Sequence, residues 1–247
     1  MNSIETIRKS NKIVITGGVG VGKTTTINLL KRLLEDNGIK CISIPEYLDA
    51  SEEGRNMLIK YSYHEISAYE FQSYIVNYFD DYLTKLHLNG NELLIFERVP
   101  DDTITCFSNM WNKQGLLTDE QLFELYKESL QIDNKFNLPS YFVSESKEDI
   151  MHMLLNSDSS EYVVKQIYNE ILNKDLINSQ NGKSIIVGLY NTPSTCLKRI
   201  IKRGRKEEIE TYTIETVKEF NKHYTSIYEM FMNGERLRFC SIGDLIR

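Results

Sequence analysis

Residues 12 to 25 read Lys-Ile-Val-Ile-Thr-Gly-Gly-Val-Gly-Val-Gly-Lys-Thr-Thr, and this stretch decides the fold. Ile13, Val14 and Ile15 form a β-branched run of strand character. Residues 17 to 24 have the spacing G-x-x-x-x-G-K-T, and a leucine-rich helical pattern follows at once. Strand, glycine loop and helix in that order make a phosphate-binding loop. The glycines let backbone N–H groups turn inward around a polyphosphate, and the helix starting near Lys23 points its positive end at the same anion. Gly17, Gly18, Val19, Gly20, Val21, Gly22, Lys23, Thr24 and Thr25 are assigned to this cradle. Lys23 is expected to reach the terminal phosphates, and the Thr24 hydroxyl to ligate Mg²⁺. The alternative is a glycine-rich turn that matches by chance, which the flanking strand and helix disfavour.

The rest of the chain bounds what such a loop can serve. With 247 residues and 41% hydrophobic content, a single α/β domain spanning 1–247 is expected, because only one phosphate loop is present. A net charge of −6 argues against a nucleic-acid-coating protein, since neutralising phosphates supplies most of such a protein's affinity. Cys41, Cys106, Cys196 and Cys240 lie far apart with no C-x-x-C pair, which reads as reduced core residues and not as a zinc or disulfide framework. The N-terminus is polar and no apolar run approaches the length of a span, so no signal peptide, no membrane contact and a cytoplasmic location are expected.

Working outward, Ile27, Leu29, Leu30, Leu33 and Leu34 give a helix that stops at Asn37-Gly38. A strand at 41–44 is halted by Pro45, leaving Glu46 beyond its carboxyl end, the edge where open parallel sheets bind ligands. Residues 49–54 read as an acidic loop and 55–64 as a short helix. From 66 to 88 an apolar stripe (Phe71, Ile75, Tyr78, Phe79, Tyr82, Leu86) marks a long helix that carries Gln72 on its Ile75–Phe79 side. Gln72 is either an ordinary surface amide or a reader of a base edge through two hydrogen bonds. The apolar strand 93–96 delivers Glu97-Arg98, readable as a strand-end ion pair or as an acid on the Mg²⁺ shell.

Residues 101–132 read as two helices split by Gly115 and restarted at Thr118-Asp119-Glu120. Serine, asparagine and aspartate clusters around a helix near 162–172 make about 144–183 a candidate insertion on the core. A strand at 184–190 is followed by Thr192-Pro193, which opens a helix carrying Arg199 and Arg203, with Arg205 beyond. That basic run is a solvated helix face, a nucleic-acid patch, or an arginine lid over a transferring phosphate; the phosphate loop favours the lid. A long amphipathic helix at 213–232 and a short strand at 237–242 finish the chain.

Taken together, the phosphate loop, Pro45-Glu46, Phe71-Gln72-Ser73-Tyr74, Glu97-Arg98 and Thr192-Pro193 with Arg199, Arg203, Arg205 and Glu208 resemble the deoxyribonucleoside kinase family, including its viral thymidine kinase branch. The resemblance covers 12–110 and 184–245. It implies a three-layer α/β P-loop kinase fold with a five-stranded parallel sheet and an arginine lid. It implies ATP and Mg²⁺ as cofactors, a small deoxynucleoside as the partner, and a candidate homodimer. By the same resemblance Glu46 is the general base at the sugar 5′-hydroxyl, Arg98 its partner and Glu97 the metal-side acid. Gln72 matches the group that pairs with the base, Phe107 an aromatic stacked on it, and Tyr61 and Glu208 the groups that hold the 3′-hydroxyl.

The departures concern the base. Phe79 and Thr103 stand where family members favouring deoxycytidine and purines carry an arginine and an aspartate, Asp102 is one place off, and Ser51 replaces a tryptophan. A pyrimidine, thymidine above all, is therefore expected. A strand at 141–143 competes with 184–190 for the place before the lid, and the latter is preferred because the lid follows it directly. The nearest rival is a thymidylate kinase, against which stand Glu97-Arg98 in place of Asp-Arg and the presence of a base such as Glu46, which a phosphate acceptor does not need. A catalytically silent nucleotide-binding subunit is the rival from another class, and a GTPase lacks its D-x-x-G and N-K-x-D motifs.

Overall fold

The computed structural model describes residues 3–140, 150–177 and 181–232. After a short helix α1 (Ser3–Lys9), the chain runs β1 (Lys12–Gly17), α2 (Lys23–Asp36), β2 (Cys41–Ile44), α3 (Tyr47–Ala50), α4 (Glu52–Ser62), α5 (Ala68–Lys85) and β3 (Leu93–Glu97). It continues through α6 (Pro100–Asp102), a π-helical turn (Thr103–Ser108), α7 (Asn109–Lys113), α8 (Asp119–Phe136), β4 (Ile150–Asn156) and α9 (Ser160–Asn173). The last described elements are β5 (Ser184–Tyr190), α10 (Pro193–Arg203), α11 (Lys206–Thr211) and α12 (Ile214–Met232).

The five strands form one parallel sheet in the order β2-β3-β1-β5-β4. Every residue of β1 is buried, as expected for a central strand covered on both faces. Alternation along it divides the core. Val14, with Leu94, Phe96 and Ile186 of its neighbours, faces a cluster built with α5, α8 and α12. Ile13 and Ile15, with Ile95, Ile185 and Val187, face α2, α9 and α10. The result is the three-layer α/β arrangement expected from the sequence, with all strand carboxyl ends on one edge.

Three expectations need correction. The stretch at about 144–183 contains β4, which pairs with β5 along its whole length, and α9, whose Val163, Val164, Ile167 and Ile171 pack with Ile27, Leu30 and Leu34 of α2. The described part of this stretch is therefore core: the helix expected near 162–172 is α9, and the strand before it was hidden by the polar residues at 156–160 that follow it. Residues 49–54 are not a loop but the end of α3 and the start of α4 with only Ser51 extended between them: its hydroxyl accepts the Gly54 N–H at 3.1 Å, and Glu52 and Glu53 sit at the positive end of α4. The helix after β3 contains a π-helical turn, which adds a residue to the helical repeat where the pattern gives no warning. The competing strand at 141–143 and the last strand at 237–242 lie outside the described residues, as does Cys240; Cys41, Cys106 and Cys196 are buried free thiols. No described helix is long and apolar enough to cross a membrane.

Candidate active site

The carboxyl ends of β1, β2 and β3 open onto one cavity of about 240 Å³. The loop after β1 needs glycine where backbones crowd it. A Cβ on Gly17 would stand 2.3 Å from the Leu189 carbonyl oxygen, and one on Gly20, where φ is +77°, 2.5 Å from that of Cys196. The loop feeds α2, whose first residue Lys23 is 6% exposed and donates to the Gly18 carbonyl at 3.2 Å. Burial, then Arg98 and Arg203, push the Lys23 ammonium below its ordinary pKa, against the pull of Glu46 and Glu97. A cation held there among other cations suits an anionic ligand.

Glu97, the last residue of β3, lies 3.8 Å from the Lys23 ammonium and accepts the Thr24 hydroxyl at 3.0 Å. Burial pushes its carboxyl up, and Lys23 offsets this only in part. Thr24 and Glu97 thus form a buried hydroxyl–carboxylate pair, an oxygen donor set that fits Mg²⁺, an ion that keeps most of its shell for phosphates and water. Among the described residues no group of three His, Cys, Asp or Glu is gathered for a metal held by protein alone.

Glu46 follows β2 and caps α3, and its carboxylate pairs with the Arg98 guanidinium. Burial alone would raise the Glu46 pKa, but Arg98, then Lys23, Arg205 and Arg203, overcome it and hold the carboxyl below its ordinary value. Arg98 has φ +68°, a left-handed conformation rare for a residue with a side chain, and donates to the Gly17 carbonyl at 3.2 Å. Its guanidinium carbon lies 5.0 Å from the centre of the Phe107 ring, inside cation–π range.

The apolar end of the cavity is walled by α5 and the helices after β3. The side chain of Gln72 is buried and its Oε1 is 3.5 Å from the Ser108 hydroxyl; Phe79, Thr103 and Met110 line the space around it. Tyr61 packs against both Phe71 (5.0 Å between centres, 7° between planes) and Trp111 (4.6 Å, 27°), which also meet each other at 6.1 Å. Buried Glu208 accepts from Arg203 at 3.1 Å and from Arg205 at 3.4 Å, and Arg205 also pairs with Asp49 of α3.

The cavity brings together Val19, Gly20, Gly22, Lys23, Thr24, Glu46, Tyr61, Gln72, Phe79, Glu97, Arg98, Phe107, Arg203 and Glu208. Gly17, Gly18, Val21, Thr25, Arg199 and Arg205 do not line it. Arg199 departs furthest from its expected place. Its guanidinium donates to the Val21 carbonyl at 2.8 Å and the Ser157 carbonyl at 3.0 Å, bracing the phosphate loop from behind. Asp102 does not line the cavity either. The sequence reading missed Tyr47, Trp111, Tyr212 and Phe220, which also line the space. Trp111 had one available signal, as the single tryptophan of the chain. Phe220 lies in a helix whose apolar stripe looked like plain core, yet it packs on Phe107 at 5.0 Å.

The family described as Deoxynucleoside kinase matches residues 13–175, more than half of the chain. No curated protein matches the sequence.

Proposed function

The chain belongs to the deoxynucleoside kinase family, and we propose that it transfers the γ-phosphate of ATP to the 5′-hydroxyl of a deoxynucleoside, with thymidine the favoured acceptor. One observation carries this reading: the Glu46–Arg98 pair shares a cavity with Lys23 of the phosphate loop. A primary alcohol must lose its proton as its oxygen attacks phosphorus. Glu46, held ionised, accepts that proton while the bond from the γ-phosphorus to the bridging oxygen breaks and ADP leaves. Lys23 and the loop N–H groups bind the phosphate oxygens, and Arg203 and Arg205 exchange Glu208 and Asp49 for the charge that spreads over the transferring group. Thr24 and Glu97 are the residues that would hold Mg²⁺, which neutralises phosphate charge when bound.

The base preference rests on neutral chemistry. Phe79 and Thr103 offer no charge to the cavity, and Asp102 is engaged with Thr16 and Val99. That leaves the Gln72 amide, with one acceptor and two donors, as the group suited to the donor and acceptor edge of a pyrimidine. A phosphoryl-transfer screen over the four deoxynucleosides, with thymidine monophosphate alongside, tests the reading. Thymidine should be the best acceptor and its monophosphate a poor one; a purine preference would sink the pocket assignment, and a monophosphate preference the choice of a hydroxyl acceptor.

The arginines should separate in kinetics. Arg203→Ala and Arg205→Ala are expected to lower kcat more than nucleoside affinity, as for contacts made mainly in the transition state. Arg199→Ala removes the charge-assisted bonds that tie the loop's Val21 carbonyl to the Ser157 carbonyl after β4 and should instead weaken ATP binding by about tenfold. Steady-state kinetics with each substrate varied distinguishes these outcomes.

A further inference from the structure

We propose that Asp102 is a positioning residue that locks the phosphate loop to the arginine on the acceptor side, through the hydroxyl of Thr16. The inference rests on the phosphoryl-transfer reading above and concerns two residues to which that reading gives no part in the transfer. Asp102 is 1% exposed, and neither it nor Thr16 lines the cavity. One carboxylate oxygen accepts the Thr16 hydroxyl, and the other accepts the Val99 N–H at 2.9 Å. The Thr16 hydroxyl in turn accepts the Gly17 N–H at 2.7 Å. A continuous chain of hydrogen bonds therefore runs from the first residue of the phosphate loop to the residue after Arg98.

An acid that closes a helical turn on the N–H three residues back is ordinary local structure. That role needs only the bond to Val99. The second oxygen reaches into a different strand, at the point where β1 becomes the loop, and does nothing for α6. What it joins is a strained element: Arg98 holds a left-handed backbone, which persists only where the surroundings over-determine it. The other ties run between the same two strand ends, from the Arg98 N–H to the Ile15 carbonyl at 3.1 Å and from its guanidinium to the Gly17 carbonyl at 3.2 Å. Asp102 completes this set from below the cavity floor. The loop that grips the donor phosphate and the turn that presents Arg98 to the acceptor hydroxyl then keep one relative position. In-line transfer is sensitive to that distance, whereas the binding of either substrate alone is not.

The test uses the isosteric Thr16→Val, which removes the hydroxyl and keeps the shape, with Thr16→Ser as its rescue and Asp102→Asn from the other side. In Thr16→Val and Asp102→Asn, kcat is expected to fall by about 10²-fold, the effect of a misplacement near 1 Å. The thymidine Kd, read from the fluorescence of Trp111, and the KM for ATP should stay within about threefold of the parent, because uniform binding is untouched. Thr16→Ser should restore kcat, and the double variant should be no worse than either single one, as for two residues acting through one bond. Parent-like kcat in Thr16→Val would overturn the proposal even if Asp102→Asn fails to fold. So would a loss in which kcat, both affinities and Tm fall together and serine gives no rescue, since that describes a purely structural bond. An active parent with unaffected variants overturns this proposal alone, while a parent that phosphorylates no deoxynucleoside overturns the functional reading and this one with it.

Discussion

Replacing Lys23 by alanine is expected to lower phosphoryl transfer by about 10³-fold, the upper range for removing one preorganised donor to developing negative charge. The side chain lies at the start of α2 with its ammonium on the Gly18 carbonyl of the loop, and no neutral residue can supply its charge to the terminal phosphates. The same change should leave the fold standing. Burial and the neighbouring Arg98 and Arg203 already disfavour the ammonium in this position, and its nearest carboxylate, Glu97, is 3.8 Å away and bonded to Thr24 as well. Relief of that repulsion offsets the lost ion pair, so stability should stay within about 1 kcal/mol of the parent. Paired measurements of kcat and of the thermal midpoint check both halves. A folded variant with near-normal turnover would remove Lys23 from the phosphate site.

Much of this arrangement was legible because it rests on local rules. The loop at 17–24 announces itself through glycine spacing, and Glu46 through a proline that ends a strand at the ligand-binding edge. Thr192-Pro193 marks the start of α10 as N-cap and first turn, and the Thr192 hydroxyl does accept the Thr195 N–H. The misses occur where long-range geometry overrides local pattern. β4 was hidden because a strand at the margin of a parallel sheet can be flanked by serine and asparagine turns, and composition around it then looks like an insertion. Arg199 sits on the same helix face as Arg203, and periodicity cannot tell which of two arginines one turn apart meets the loop backbone and which meets the cavity. Phe107 meets Phe220 of α12 from within the π-helical turn, a contact between distant elements with no sequence signature. In the sequence Asp102 reads only as a misplaced base-reading acid, since its partner Thr16 lies 86 positions away.

Glu46→Gln is expected to leave nucleoside binding in place while kcat falls by roughly 10²–10⁴, the usual worth of a positioned proton acceptor. Glutamine keeps the size of the side chain and an oxygen for the Arg98 guanidinium but cannot take a proton. Its effect on the fold should also be measurable. Glu46 and Arg98 are 14% and 9% exposed, and Lys23, Arg203 and Arg205 add positive charge nearby. Removing the central negative charge leaves buried cations less compensated, a change that costs about 3 kcal/mol when a buried pair is broken. The pH dependence follows from the same electrostatics. Because the folded protein holds the Glu46 carboxyl below its ordinary 4.5, Glu46 contributes stability above that value and loses it as pH falls through the depressed one. For the same reason the base stays ionised through neutral pH, so the acid limb of the parent's kcat profile that reports Glu46 should lie below the ordinary carboxylate range, and the variant should lack it. The measurement is kcat and thymidine affinity against pH for both proteins, scaled to the folded fraction. A variant that binds and turns over like the parent would show the proton leaving the hydroxyl by another route, and would withdraw the main argument that the acceptor is a hydroxyl and not a phosphate.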